Sequence, residues 1–164
     1  LEERDRIADE LLSRYKKIAA AEGAGTGAGG ILLGAVDFPA LIAIKLKFLY
    51  DLSHIYGYST DDYRQRMYLL FVFQLAFSGQ DHKRTVWLQL QKFHRPEYRP
   101  SAGEIDWETF QQEYRDSIDF RKMLQMIPGI GAVVGAWANY GLLEELGVTA
   151  KNCFRYRYLN ANST

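Results

Sequence analysis

Cysteine and net charge are what this sequence has least of. The 164 residues include one cysteine, Cys153, which excludes an internal disulfide framework and favours a cytosolic or cytosol-facing protein. Basic and acidic side chains number 20 each, so the chain as a whole attracts neither nucleic acid nor an anionic surface. We therefore expect no nucleic-acid partner. A neutral total can hide local charge, however, and between Asp61 and Pro100 seven bases outnumber four acids.

Proline is also scarce, and strand-like alternation of apolar and polar residues is missing. Only 4 prolines occur, while hydrophobic residues make up 48% of the chain and aromatic residues 14%. This composition excludes disorder and favours helices. The length suits one domain with a substantial core. The sequence therefore predicts an all-α fold, a single domain over residues 1–164 with six to seven helices.

Catalytic and metal-binding patterns are missing as well. His54, His82 and His94 are far apart, and none has the spacing of a metal-ligand pair. The run GAGTGAGG lacks the closing residues of a phosphate-binding loop and any preceding strand. Cys153 has no companion, and a lone cysteine in a helix is usually buried and inert. We predict no catalytic residues, no metal and no cofactor, which favours a non-enzymatic role and leaves an enzyme as an open alternative.

Helical spacing is present from the start of the chain. Ile7, Leu11, Tyr15 and Ile18 predict an amphipathic first helix, which the run Gly23–Gly30 should end.

A second helix is predicted over about residues 39–55, and the loop YGYSTDD follows it with Ser59 or Thr60 as the cap of the next helix. That next helix, RQRMYLLFVFQLAF, is apolar almost all round and should be buried. A short helix should then turn three apolar residues inward, Val86, Leu90 and Phe93.

The second half begins with RPEYRPSAGE, which reads as an exposed linker loop because prolines and glycine stop any helix there. Asp106 should cap a further helix, a glycine-rich helix is expected from Pro128 to about Leu146, and TAKNCFRYRYL should form a separate last helix. The helix after Asp106 shows its period at Trp107, Phe110, Tyr114 and Ile118.

Two glycine-rich stretches are the most unusual feature. Residues four apart share a helix face, and a face of small residues lets another backbone approach closely. We expect the two stretches to form closely packed apolar helices. Membrane insertion is the alternative: residues 123–143 carry no charge and are long enough to cross a bilayer, whereas Asp37 disfavours spanning by the earlier stretch. The glycines concerned are Gly25 and Gly29, Gly30 and Gly34, and Gly131 and Gly135.

Asp37 is the most conspicuous acid because it stands in an apolar context, where an unpaired carboxylate is costly. It can cap the helix that begins at Pro39, or it can be a functional acid paired with Lys45, His54 or an arginine. Lys45 and Lys47 lie on different faces of that helix, so one of them can be internal.

The tail alternates basic and aromatic residues. Tyrosines suit the headgroup boundary of a membrane and arginines suit lipid phosphates, so the tail is a candidate for membrane or partner contact. An amphipathic last helix docked on the domain with a solvated basic edge explains the same pattern. The candidate contact residues are Lys151, Arg155, Tyr156, Arg157 and Tyr158.

Three segments together resemble the EcsC family, bacterial proteins named for a member encoded beside the two components of an ABC transporter. They are the glycine run leading into Asp37, Phe38 and Pro39, the YGY after the second helix, and PGIGAVVGAWAN closed by the aromatic and basic tail. The resemblance extends from Leu11 to Leu159 and brings no catalytic residue set.

The resemblance implies a membrane-associated accessory protein that supports an ABC transporter or an envelope assembly. We expect it on the cytoplasmic side of the cytoplasmic membrane, peripheral or partly inserted, with a membrane surface or a membrane protein as partner. The alternative is a soluble helical module that binds a lipid or another apolar ligand. The sequence leaves the oligomeric state open.

Overall fold

A computed structural model describes residues 1–29, 38–106, 108–109, 112 and 131–161. These residues form helices and no strands, which confirms the predicted all-α class. The predicted number of six to seven helices is not confirmed. The described part contains five α-helices and one short 3-10 helix: α1 Glu2–Gly29, α2 Phe38–Ile55, α3 Tyr63–Phe77, α4 Gln80–Lys92, the 3-10 helix Ala102–Glu104, and α5 Gly131–Ala161.

Helix α1 ends at Gly29, inside the glycine run Gly23–Gly30 that was predicted to end it, although most of that run is helical. Three acids lie in the first turn and favour its start, because negative charges are attracted to the positive end of the helix dipole: Glu2, Glu3 and Asp5. Glycine in a helix interior costs up to about 1 kcal/mol relative to alanine. Packing along α5, the most extensive contact between described helices, outweighs that cost over the helix as a whole.

Helix α2 matches the predicted helix over residues 39–55. Gly57 then reverses the chain with a φ of 88°, a left-handed conformation that favours glycine. The amide of Tyr58 donates to the carbonyl of Ser53, so the turn satisfies the end of α2.

Helix α3 begins one residue after Asp62, and the predicted caps Ser59 and Thr60 were wrong. The Asp62 carboxylate accepts from the amide of Arg64 at 3.0 Å. Aspartate is among the best capping residues, and the run STDD offers four candidates, which sequence alone cannot rank. The prediction of a buried helix is confirmed, because ten of its residues are buried, including Phe71, Val72 and Phe73.

Helix α4 runs antiparallel beside α3, and its predicted inward residues are all buried: Val86, Leu90 and, just past its end, Phe93. The loop that follows was predicted to be exposed, which is only partly correct. Pro100 is buried, and Tyr98 packs edge-on against Phe93 with its hydroxyl 2.7 Å from Glu104. Glu104 and Ser101 cap the 3-10 helix reciprocally, which gives the loop an ordered end.

Helix α5 is one continuous helix of 31 residues, which corrects the prediction of separate helices on either side of Leu146. The reason is its buried side, where apolar residues recur at helical spacing across the expected break. Gly147 lies inside this side and receives the Leu12 side chain of α1: a Cβ built on Gly147 would lie 3.0 Å from Leu12 Cγ and nearer still to both methyl groups. The buried side contains Leu142, Leu143, Leu146, Ala150, Cys153 and Phe154.

Helices α1 and α5 are antiparallel. Lys16 meets Glu144, Lys151 meets Asp9 and Arg155 meets Asp5. Each step back along α1 is therefore a step forward along α5. Consequently α1 ends and α5 begins at one end of the molecule, here called the upper end. Helix α1 begins and α5 finishes at the other, the lower end, where α2 also finishes and α3 begins.

Candidate functional site

In the described structure, all five candidate residues of the tail contact other residues of the same chain. Lys151 Nζ lies 2.6 Å from Asp9, and Arg155 Nε lies 3.4 Å from Asp5. Both pairs join α5 to α1, and an ion pair at a surface contributes only about 0.2–1 kcal/mol. The proposed membrane or partner contact of these two bases stays a prediction.

The two tyrosines of the tail pack against aromatic and cationic neighbours. The ring of Tyr156 lies edge-on to Trp87, with centroids 4.9 Å apart, and to His94, with centroids 4.8 Å apart. The Tyr158 ring lies 5.2 Å from the guanidinium carbon of Arg4. Tyr156 thereby fixes α5 to α4, and Tyr158 fixes it to α1.

Arg157 lies deeper than the other bases of the tail. Its guanidinium carbon is 4.0 Å from the Tyr58 ring centroid and 4.6 Å from that of Tyr68. Its Nη1 donates to the side-chain oxygen of Gln65 at 2.6 Å, and Gln65 in turn donates to Ser53 at 3.0 Å. Aromatic faces and an amide oxygen therefore hold this cation in place of a carboxylate.

Arg64, at the start of α3, extends the same arrangement. Its Nη2 donates to two carbonyls, that of Phe93 at 2.5 Å and that of Arg95 at 2.9 Å, and its guanidinium carbon lies 5.7 Å from the Phe93 ring. Its Nε is buried without a hydrogen-bond partner among the residues that the structure describes. Such a donor is unusual in a folded protein, where nearly all buried polar groups find partners.

His94 completes a group that we name the basic cluster, Arg64, His94 and Arg157. Burial lowers the pKa of His94, and the neighbouring charges of Arg157 and Arg64 lower it further. Burial also lowers the pKa of Arg157; the rings of Tyr68 and Tyr58 oppose that shift, and Arg64 adds to it. Three nitrogen-rich side chains from α3, the end of α4 and α5 thus lie within each other's electrostatic reach.

The structure separates the two lysines of α2, as their positions on different faces predicted. Lys45 is buried, with 2% of its surface exposed. Lys47 is exposed and lies 2.7 Å from Asp51. Asp37, the functional-acid candidate, lies outside the described residues, so neither its capping role nor its pairing with Lys45 or His54 is tested. His54 is exposed, with Nε2 3.5 Å from the hydroxyl of Thr60.

The glycines singled out by the sequence are described only in part. Gly25 and Gly29 lie in α1, and Gly131 and Gly135 lie in α5. Gly30 and Gly34 lie outside the described residues. The mutual packing of these glycines stays a prediction, whereas the close approach between α1 and α5 that the structure does describe is at Gly147.

Cys153 is buried in α5, and burial raises the pKa of its thiol to about 12. A thiol with such a pKa carries almost no thiolate at neutral pH, so it is a poor nucleophile. Across the described ranges, no group of three or more histidine, cysteine or acidic side chains is placed to hold a metal ion. No described helix is long and apolar enough to cross a membrane.

Sequence reasoning found Arg157 but missed Arg64 and His94. Arg64 is 93 residues away from Arg157 along the chain, and no local pattern connects them. The only sequence signal was the excess of bases between Asp61 and Pro100, which contains both missed residues.

The fold and this site define a class: an all-helical protein with a half-buried basic cluster at its lower end. The model of the EcsC protein family matches residues 1–159. The chain belongs to the EcsC family, which confirms the resemblance inferred from its motifs.

Two relatives from Bacillus subtilis (strain 168) were found. Protein EcsC is 47% identical over 159 residues, which cover 97% of this chain and 65% of that protein. Uncharacterized protein YdbA is 30% identical over 155 residues, which cover 93% of this chain and 57% of that protein. The chain thus spans about three fifths of the length of these relatives. No solved structure matches it.

Proposed function

We propose that this chain is a non-enzymatic, membrane-associated accessory protein that attaches to the cytoplasmic face of a membrane by its upper end. The attachment is peripheral or partly inserted. Support of an ABC transporter or an envelope assembly is the further role that we assign to it, and that assignment comes from the family resemblance alone.

The observation that supports this proposal is the antiparallel alignment of α1 and α5. The two glycine-rich stretches of the sequence contain no charged residue over residues 23–36 and 123–143. The first begins inside the last part of α1, and the second finishes inside the first part of α5. The alignment brings the described parts of these stretches, residues 23–29 and 131–143, toward the upper end, while the ion pairs and the basic cluster lie further down.

Uncharged, apolar segments gathered at one end of a charged protein suit contact with a bilayer. Each buried Å² of apolar surface contributes about 25 cal/mol, so a modest insertion of several side chains gives measurable binding. Charged residues deeper in the bilayer would oppose the insertion, and the two stretches have none.

Trp137 and Trp87 provide an internal test of this orientation. Trp137 belongs to the uncharged part of α5, whereas Trp87 lies in α4 against Tyr156. Two single-tryptophan proteins are compared, each with the other tryptophans replaced by phenylalanine, in vesicles that contain brominated lipids. We expect bromine to quench Trp137 fluorescence and to leave Trp87 fluorescence unchanged.

Equal quenching of both tryptophans would mean that the protein lies on the membrane in another orientation. Failure to co-sediment with either neutral or anionic vesicles would contradict membrane association itself. If such unbound protein carried a co-purified lipid in native mass spectrometry, the alternative of a soluble lipid-binding module would take its place.

A further inference from the structure

We propose that the basic cluster of Arg64, His94 and Arg157 binds a phosphate group. The site takes its side chains from α3, the end of α4 and α5, and it is distinct from the proposed membrane contact. Position 157 lies 14 to 26 residues beyond the uncharged start of α5, residues 131–143, or roughly 21 to 39 Å along the helix. Either proposal can therefore fail without the other.

The first argument is the way in which these guanidinium groups are held. Within the described residues, the side-chain hydrogen bonds of Arg64 go to the carbonyls of Phe93 and Arg95, and that of Arg157 goes to the side-chain oxygen of Gln65. Neutral oxygens orient a guanidinium without neutralising it. Neither arginine has a carboxylate partner among the described residues, so their charges remain available to an anion.

The second argument is that the cluster is electrostatically incomplete. Burial lowers the pKa of His94, and the charges of Arg157 and Arg64 lower it further, which means that additional positive charge at this place is disfavoured. Asp62 is the described carboxylate that interacts with Arg157, and it is exposed and already caps α3. A bound anion would replace this repulsion by attraction.

The third argument concerns donors. A guanidinium has five N–H donors in a planar arrangement that matches phosphate oxygens, and bonds to the residues that the structure describes use only part of those of Arg64 and Arg157. The buried Nε of Arg64 has no partner within the described part of the chain. The ring of His94 is only half-buried, so it adds a donor at the exposed side of the cluster. Two guanidinium groups and an imidazole match the charge and the acceptor oxygens of a tetrahedral dianion better than those of a singly charged carboxylate.

The test uses the whole chain, labelled so that the imidazole resonances are resolved by NMR. Inorganic phosphate is added at pH 7.5 while sodium chloride keeps the ionic strength constant. We expect a saturable shift of the His94 resonances and a rise in the pKa of His94, because a bound dianion favours its protonated form. His54 and His82 lie elsewhere and serve as internal references.

Arg64→Gln is the decisive variant, and we expect it to weaken phosphate binding about tenfold or more, the usual effect of losing a charge-assisted contact. Arg66→Gln is its matched control. Arg66 lies in the same helix and also donates to carbonyls, those of Thr60 and Asp61, but it is exposed on another side of α3. Its replacement should leave phosphate binding within about twofold of the parent.

Further additions identify the source of the phosphate. Glycerol 3-phosphate presents the group on a soluble molecule, and monomeric short-chain phosphatidic acid presents it on a lipid. Binding of both identifies phosphate itself as the recognised group, and binding of the lipid alone identifies a headgroup. Sodium acetate at the same ionic strength controls for a general preference for anions.

Three results would overturn the proposal. The histidine resonances could all stay unchanged, they could all shift in parallel, or acetate could act as strongly as phosphate. Equal affinity of the parent and a folded Arg64→Gln variant would also remove the basis of the site.

Discussion

Along the seam between α1 and α5, Lys16, Lys151 and Arg155 each meet a carboxylate on the facing helix, whereas Arg64 and Arg157 meet carbonyl oxygens, an amide oxygen and aromatic rings. The two regions share α5: the seam extends along its length, and the cluster lies at its lower end. Their difference shows that a cation can serve two purposes in one helix. Paired charges fix the register of two helices, while charges held by neutral groups keep their attraction for an external anion.

The largest expected effect comes from removing the core that both regions share. Phe154 has 0% of its surface exposed, and its ring lies within 6 Å of three tyrosine rings, those of Tyr56, Tyr58 and Tyr68. We expect Phe154→Ala to lower the free energy of unfolding by about 3–5 kcal/mol. Chemical denaturation followed by circular dichroism measures it. Leu159→Ala, at an exposed position of the same helix, is the control and should change little.

The seam alone is tested by Gly147→Ala. The new methyl group would collide with the Leu12 side chain, and overpacking of this kind costs about 1–3 kcal/mol, of which the better helix propensity of alanine returns at most about 1 kcal/mol. We expect a net loss of stability. Gly103→Ala is the control because its Cβ would meet nothing nearer than 3.7 Å.

A double variant, Leu12→Ala with Gly147→Ala, tests whether the collision with Leu12 causes that loss of stability. Leu12→Ala makes room for the methyl group, so the double variant should be more stable than the sum of the two single effects predicts. Simple additivity would show that α1 and α5 do not approach closely at this point.

The two regions should differ in the sign of the coupling free energy between pairs of charged side chains. A double-mutant cycle on Lys151 and Asp9 should give an attractive coupling of about 0.2–1 kcal/mol, weakened by added salt. A cycle on Arg64 and Arg157 should give a coupling of the opposite sign, because two cations repel and no carboxylate lies between them among the described residues. An attractive or absent coupling in the second cycle would erase the distinction between the seam and the cluster.

The smallest expected effect is a dependence of stability on pH. The pKa of His94 is lower in the folded chain than its ordinary value of 6.5. The stability associated with neutral His94 is therefore present above pH 6.5 and is lost as the pH falls toward the folded pKa. His94→Gln should flatten the decline in unfolding free energy below pH 6.5, and His54→Gln, at an exposed position of α2, is the comparison. An unchanged decline would exclude His94 as its source.

Local sequence signals were sufficient for the fold class and for the helices with clear patterns. The continuous apolar run of α3 and the spacing of Val86, Leu90 and Phe93 correctly predicted burial. The extent of α1 and α5 was not predictable, because glycine discourages helix locally while the packing of the two helices on each other decides the outcome. Gly147 illustrates this: alone it suggests a helix end, and in the fold it makes room for Leu12.

The candidate site was predictable only on the side of α5. The alternation of bases and aromatics in the tail identified Arg157, but its partners Tyr58, Gln65 and Tyr68 come from distant parts of the chain. Such partners are set by tertiary packing, which a single sequence does not encode locally. The same reason explains why Arg64 stood out only as one base in a mildly basic stretch.

The unbroken course of α5 gives the molecule a mechanical property. Its 31 residues form a rod of about 46 Å whose two extremities cannot move separately without breaking backbone hydrogen bonds. A tilt of about 10° imposed at one extremity would swing the other through about 8 Å, far more than the width of a single side chain. A force applied at the start of α5 would therefore be transmitted along the helix and displace Arg157.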